Sequence, residues 1–423
     1  MPRRLLFAAA LLAAGTTALA PNAGPTAAAG TEYVGITPAR YMDTRPGFST
    51  FDDDYVGFGP ISGNAEVVEL PIAGKGEVPE DVLAVALNVT VTGATAAGYV
   101  TVWPCTAQMP TASNLNYVAD QTVANAVVSA TDFEGHVCFY AKAPVHVIVD
   151  VVGYFPPSSS YLPLVPQRIY DSRFETCGGA WNSSEILSFG YPLYEGDVEE
   201  GCTSRYPEGP LELPVDAEAA MLNLTAVATG GPGYISTADC DDNEQPRTST
   251  LSFDRPGQVV PNLALATVTQ SDTFPGMLCF RQKNNGHFVI DAFGYFPAGS
   301  GYTPIAPARI VDSRPTGRTD DDLDARLGRT DRFEEFAFAI TGRLGGTVPA
   351  VAAAVVNVTV TGSDEPGWVA VYPCGTKPTT STVNFAAGQT VANAAFVSPG
   401  TGDRICYQAS RPVHVIVDLQ GWF

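Results

Sequence analysis

Apolar and polar positions alternate in short runs along most of the chain, and Gly, Pro, Asn and Asp cut the runs before any helical period can develop. The clearest run is Val145-His146-Val147-Ile148-Val149-Asp150-Val151-Val152-Gly153-Tyr154-Phe155. At strand period His146, Ile148, Asp150 and Val152 share one face, and four valines share the other. The run returns as His287-Phe288-Val289-Ile290-Asp291-Ala292-Phe293-Gly294-Tyr295-Phe296 and as His414-Val415-Ile416-Val417-Asp418-Leu419-Gln420-Gly421-Trp422-Phe423. Each copy predicts the last strand of a β domain. In the first copy the pattern predicts further strands near 66–70, 84–92, 99–103, 114–117, 122–129 and 136–141. That density of short strands predicts an all-β chain of three tandem β-sandwich domains, the jelly roll being one form of such a sandwich.

A leading motif recurs as well: Pro38-Ala39-Arg40-Tyr41-Met42-Asp43-Thr44-Arg45, Pro166-Gln167-Arg168-Ile169-Tyr170-Asp171-Ser172-Arg173 and Pro307-Ala308-Arg309-Ile310-Val311-Asp312-Ser313-Arg314. Turn-rich linkers, Pro156-Pro157-Ser158-Ser159-Ser160 and Pro297-Ala298-Gly299-Ser300-Gly301, separate the copies. Domain limits of 31–155, 161–296 and 302–423 follow. Repeats this long can each bury a core, which predicts beads rather than solenoid units. The least repetitive parts, 46–65, 174–208 and 315–334, read as long surface loops.

The cysteines follow the repeat. Cys105 and Cys138, Cys240 and Cys279, and Cys374 and Cys406 hold matching positions, which makes one disulfide per domain the simple reading. Cys177 and Cys202 remain as a fourth pair, confined to the second repeat. Paired cysteines imply an oxidising compartment. Residues 1–29 agree, with Arg3-Arg4, an apolar core and small residues that read as a signal peptide and short spacer. No later segment is apolar for long enough to span a membrane as a helix. The formal charge of −21 disfavours nucleic acid and anionic membranes as partners.

Candidate chemistry lies in the polar positions that recur: Arg40, Asp43, Arg45, Asn88, Asn125, His146 and Asp150; Arg168, Asp171, Arg173, Asn223, Asn262, His287 and Asp291; Arg309, Asp312, Arg314, Asn357, Asn393, His414 and Asp418. Within one strand His146 and Asp150 stand ~13 Å apart, too far for a dyad, so each needs a partner from elsewhere. The set is read either as side chains that satisfy one another at the ends of each sandwich or as a ligand site repeated three times. One His per repeat gives poor support for a metal, and no cofactor is expected.

A second candidate is aromatic. In Tyr99-Val100-Thr101-Val102-Trp103 and Trp368-Val369-Ala370-Val371-Tyr372 two rings flank a small residue on one strand face, a platform suited to sugar rings; the second repeat keeps only Tyr234. The alternative is that these rings are core. Asn88-Val89-Thr90, Asn223-Leu224-Thr225 and Asn357-Val358-Thr359 match glycosylation acceptors but fall in mid-strand. Acidic clusters at Asp52-Asp53-Asp54, Asp320-Asp321-Asp322 and around Asp239 to Asp242 lack the spacing of a calcium loop. No nucleophile elbow, zinc-protease helix or phosphate-cradling loop is found.

The chain resembles tandem domains of exported actinobacterial proteins that open with Pro-Ala-Arg-x-x-Asp-[Thr/Ser]-Arg and close with His-x-[Ile/Val]-[Ile/Val]-Asp-x-x-Gly-[Tyr/Trp]-Phe. The resemblance covers residues 31–423 and implies an extracellular or cell-wall-associated role, with no established reaction. Gln167 and Pro261 depart from the pattern of the other two copies. The expectation is a secreted, non-catalytic binding or adhesion protein for cell-wall or extracellular polysaccharide. Alternatives are a hydrolase using Asp43 and Asp150, with Arg40 orienting substrate, and a purely structural surface component. Three similar copies favour binding, since several weak sites gain by avidity.

Overall fold

The structure is a computed structural model that describes residues 32–61, 66–173, 186–189, 216–241, 248–271, 275–375 and 377–423. The signal peptide, the Cys177–Cys202 pair and Asp242 lie outside the described residues. The first repeat holds β1 (Val34–Asp43), β2 (Val67–Pro71), β3 (Ala84–Thr92), β4 (Gly98–Pro104), β5 (Leu115–Tyr117), β6 (Val123–Ala130), β7 (His136–Ala141) and β8 (His146–Phe155). The second holds β9 (Leu162–Asp171), β10 (Ile186–Phe189), β11 (Ala217–Val227), β12 (Gly233–Ala238), β13 (Leu251–Phe253), β14 (Val259–Thr267), β15 (Thr269–Gln270), β16 (Pro275–Lys283) and β17 (His287–Pro297). In the third are β18 (Thr303–Asp312), β19 (Glu335–Ala339), β20 (Ala354–Thr361), β21 (Gly367–Pro373), β22 (Val383–Phe385), β23 (Val391–Val397), β24 (Arg404–Ala409) and β25 (His414–Trp422). The leading motif thus forms a strand of its own in every repeat. Inside 174–208, read as loop, lies the strand β10.

Every repeat divides into two antiparallel sheets with one order. The inner sheet of the first is β1-β8-β3-β6 and the outer is β2-β7-β4-β5; the second and third repeats match, apart from the added pairing of β15 with β16. Val85, Leu87, Val89 and Val91 of β3 meet Val100, Val102 and Phe139 of the outer sheet in one apolar core, and the other repeats have their own. Alternation puts these valines on one face because every second side chain of a strand points the same way. Cys105–Cys138, Cys240–Cys279 and Cys374–Cys406 each tie two strands or strand ends of an outer sheet, as their recurrence implied. Closing loops of 33, 39 and 32 residues stabilises each repeat, by roughly 3–4 kcal/mol in the chain-entropy account.

Beads are not what the repeats form. The inner sheets are buried on both faces, and their second faces meet around a threefold axis in a propeller-like arrangement. Ala84, Ala86, Ala126 and Val128 pack there with Ala219, Met221, Leu263 and Leu265 and with Ala353, Val355, Ala394 and Phe396. Six rings close a cycle on the axis: Tyr33, Phe155, Tyr161, Phe296, Tyr302 and Phe423, with successive centroids 4.7–5.4 Å apart. This explains the closing Gly-aromatic-Phe. Its Phe enters the cycle, and its Gly yields to a tyrosine: a Cβ on Gly153 would lie 2.1 Å from Tyr33 Oη, and Gly294 and Gly421 face Tyr161 and Tyr302 in the same way. The physical reason for assembly is apolar area that no single repeat can cover.

Candidate binding clefts between the repeats

The motif arginines and aspartates face each other by strand register. Arg40 of β1 lies opposite Asp150 of β8, which lies opposite Asn88 of β3; Arg168, Asp291 and Asn223 repeat this, as do Arg309, Asp418 and Asn357. The Arg40 Nε donates to Asp150 Oδ1 at 2.9 Å, and the equivalent bonds to Asp291 and Asp418 are both 2.8 Å. Arg45 reaches back with Nε and Nη2 to both oxygens of Asp43, at 2.9 and 2.7 Å; Arg173–Asp171 and Arg314–Asp312 match it. The aspartates are buried, whereas Arg45, Arg173 and Arg314 have side chains 24%, 44% and 39% exposed. Burial raises the pKa of Asp150, Asp291 and Asp418, against the opposing pull of Arg40, Arg168 and Arg309. For Asp312 burial also pushes upward, but the Arg314 hydrogen bond and charge prevail and hold its carboxyl below the usual range.

The histidines find the partner that their spacing demanded. His146 Nδ1 lies 3.0 Å from Thr44 Oγ1, and the same hydroxyl accepts the Val147 N–H at 3.0 Å. Ser172 with His287 and Ser313 with His414 repeat the arrangement, which is why a hydroxyl residue stands between the motif's Asp and Arg. Desolvation lowers the His414 pKa despite its bond to the Ser313 carbonyl.

The asparagines join the repeats. Asn125 Nδ2 donates to Asn223 Oδ1 at 2.9 Å, Asn262 to Asn357 at 2.8 Å, and Asn393 to Asn88 at 2.8 Å. Each then accepts a backbone N–H across a seam: Asn125 from Leu263, Asn262 from Ala394, Asn393 from Ala126. Asn88, Asn223 and Asn357 also donate to the carbonyls of Ser381, Ser113 and Ser249 in the adjoining repeat. Their burial removes them as glycan acceptors. The recurring polar set therefore bonds within the protein as three groups, Arg with Asp, His with Thr or Ser, and Asn with Asn, and its asparagines are inter-repeat glue.

At each seam the motif arginines line a cleft. The first–second cleft, about 440 Å³, has Tyr99, Ser113, Asn116 and Lys142 on one wall and Arg168 and Arg173 on the other. The second–third cleft, about 360 Å³, sets Tyr234, Ser249 and Lys283 against Arg309 and Arg314. The third–first cleft, about 320 Å³, sets Trp368, Ser381 and Asn384 against Arg40 and Arg45. On the three floors stand Thr225, Thr359 and Thr90, equivalent residues two positions after the seam asparagines. All three are buried to 3% exposure or less, and none of their hydroxyls has a hydrogen-bond partner within the protein.

This placement divides the aromatic candidates. Tyr99, Tyr234 and Trp368 are half-buried and line the clefts, one each. Trp103 and Tyr372 do not join them: both are buried against the disulfide of their own sheet, with Trp103 Nε1 donating to the Ala107 carbonyl and Tyr372 Oη to Glu335. The two-ring platform is thus corrected to a single ring present in every repeat. The threonine of each recurring Asn-x-Thr, which in the sequence matches a glycosylation acceptor, is the residue that enters a cleft. Acidic clusters instead hold cations of the chain: Lys75 bridges Asp52 and Asp54, and Arg343 is clamped by Asp321 and Asp324. Among the described residues no group of acidic, His or Cys side chains is arranged to hold a metal ion.

No family model matches the chain, and no curated protein sequence matches it. Among solved structures it is similar to the protein of "The Triple Jelly Roll Fold and Turret Assembly in an Archaeal Virus", at 8% identity and TM-score 0.21, covering 92% of this chain and 91% of that one. It is also similar to the N-terminal CBM22-1-CBM22-2 tandem domain of Paenibacillus barcinonensis Xyn10C, at 10% identity and TM-score 0.18, covering 65% of this chain and all of that one. Likenesses this weak carry no argument about fold detail or function.

Proposed function

We propose that the chain is a secreted, non-catalytic protein that binds a cell-wall or extracellular polysaccharide through its three seam clefts. We read each repeat as a jelly-roll sandwich, on the strength of its 1-8-3-6 and 2-7-4-5 sheet orders and shared core. The observation that carries the reading is the triplet of buried, unpartnered threonine hydroxyls, because a buried polar group left unbonded is costly and three equivalent ones call for a common explanation. A saccharide hydroxyl supplies the missing partner, while Tyr99, Tyr234 or Trp368 offers a flat apolar face beside it. Three equivalent clefts on one body suit a repeating polymer, where joint engagement of sites gains about 10²–10⁴ over one weak site. Hydrolysis by Asp43 and Asp150 is the poorer reading, since both carboxylates are buried and bound to Arg40. Three disulfides and the absence of a membrane-length apolar helix among the described residues accord with an oxidising, extracellular setting.

The test is the triple variant Thr90→Val, Thr225→Val, Thr359→Val. Removing an unbonded hydroxyl while keeping shape is near neutral for folding, so the thermal midpoint should hold or rise. Binding to a polysaccharide array should fall sharply. Unchanged binding would overturn the cleft assignment.

A further inference from the structure

Resting on that reading, we infer that the clefts select a carboxylated saccharide, making the ligand an acidic polysaccharide. The chain has 44 acidic against 23 basic residues, yet among the described residues the three clefts are lined by eight basic side chains and by Asp254 as the one acidic side chain. Such a concentration of cations on an acidic molecule is local, and it recurs at the same positions. Its construction is directional. In each cleft an aspartate that is no more than 1% exposed takes the Nε and Nη2 edge of the second motif arginine, and the half-exposed guanidinium stands in front of it. A guanidinium has five donors in a planar fork, so Arg45 and Arg314 keep others to offer a ligand carboxylate, with their orientation already set. The floor threonine adds a donor or acceptor for a neighbouring sugar hydroxyl.

The clefts are graded. With the aspartates counted against the arginines, the first–second cleft keeps one net positive charge from Lys142 and the second–third cleft one from Lys283, since Asp254 there pairs with Arg255. The third–first cleft has no lysine and carries an indole in place of a phenol. The acidic remainder of the chain repels a polyanion, so binding of one cannot be ascribed to overall charge.

The experiment measures binding of the full chain to polygalacturonate, neutral dextran and dextran sulfate at one ionic strength, with Lys142→Gln/Lys283→Gln and Lys142→Arg/Lys283→Arg beside the parent. Both lysines are exposed, so neither variant disturbs the core. The parent should bind polygalacturonate above both other polymers. The glutamine variant should lose about tenfold, the scale of two exposed charge contacts, and the arginine variant should not. Equal or better binding of dextran would overturn the charge selection and leave the cleft reading standing. Preference for dextran sulfate would overturn the choice of carboxylate. Binding to none of the three, or an unchanged glutamine variant, would overturn the inference, and the array with the threonine variant then decides separately whether the clefts bind any saccharide.

Discussion

The seam between the third and first repeats differs from the other two in its carboxylate layer. Asp291 Oδ2 accepts the Ser113 N–H of the preceding repeat at 3.4 Å and Arg168 Nη2 at 3.2 Å; Asp418 Oδ2 accepts the Ser249 N–H and Arg309 Nη2 at the same distances. Asp150 Oδ2 has no hydrogen-bond partner, although it is as deeply buried. Beside it, a cavity of about 20 Å³ is lined by Asn88, Asp150, Thr380 and Ser381. The asparagine layer shows no such difference, since all three seams make the same side-chain and backbone bonds. Two seams join consecutive repeats through short linkers, and the third must close between distant parts of the chain. The lesson is that threefold sequence does not impose threefold energetics: the ring-closing seam keeps the core and the asparagines but is less complete where charge is buried.

The largest expected effect tests that inequality directly. Asp291→Ala or Asp418→Ala strands a mostly buried arginine and should cost about 3–5 kcal/mol by denaturant unfolding. Asp150→Ala gives up fewer hydrogen bonds and should cost about 1 kcal/mol less. An equal or larger loss at Asp150 would remove the distinction between seams.

Next in size, Asn125→Ala, Asn262→Ala and Asn393→Ala each leave a backbone N–H unbonded at a seam and should cost about 1–3 kcal/mol, alike at all three positions. A smaller loss for Asn393→Ala would extend the weakness beyond the carboxylates.

The smallest effect is one of pH. Fewer hydrogen bonds to the charged form mean that Asp150 should titrate highest of the three buried aspartates, as carboxyl carbon NMR can measure. Their folded pKa values are raised, so each contributes stability below the ordinary Asp value that is lost as pH rises through the folded value. Asp150→Asn should therefore flatten the acid-side stability curve more than Asp418→Asn, and a reversed order would contradict the seam comparison.

Much of this was legible in the chain because it is local or repeated. Strand period placed Val145, Val147, Val149 and Val151 in a core, recurrence paired Cys105 with Cys138, and the separation of His146 from Asp150 required partners from elsewhere in the chain. A further signal was present in β3: Ala84, Ala86 and Asn88 on the face opposite its valines are small or amide residues, which fits a strand covered on both sides. Tertiary structure alone decided what covered that face. Alternation says that two faces exist and how polar each is, but which surface meets which depends on contacts between residues as far apart as Asn88 and Asn393. For the same reason Tyr99 and Trp103, two rings on one face of one strand, separate in role only when a neighbouring repeat walls the first into a cleft and a disulfide covers the second.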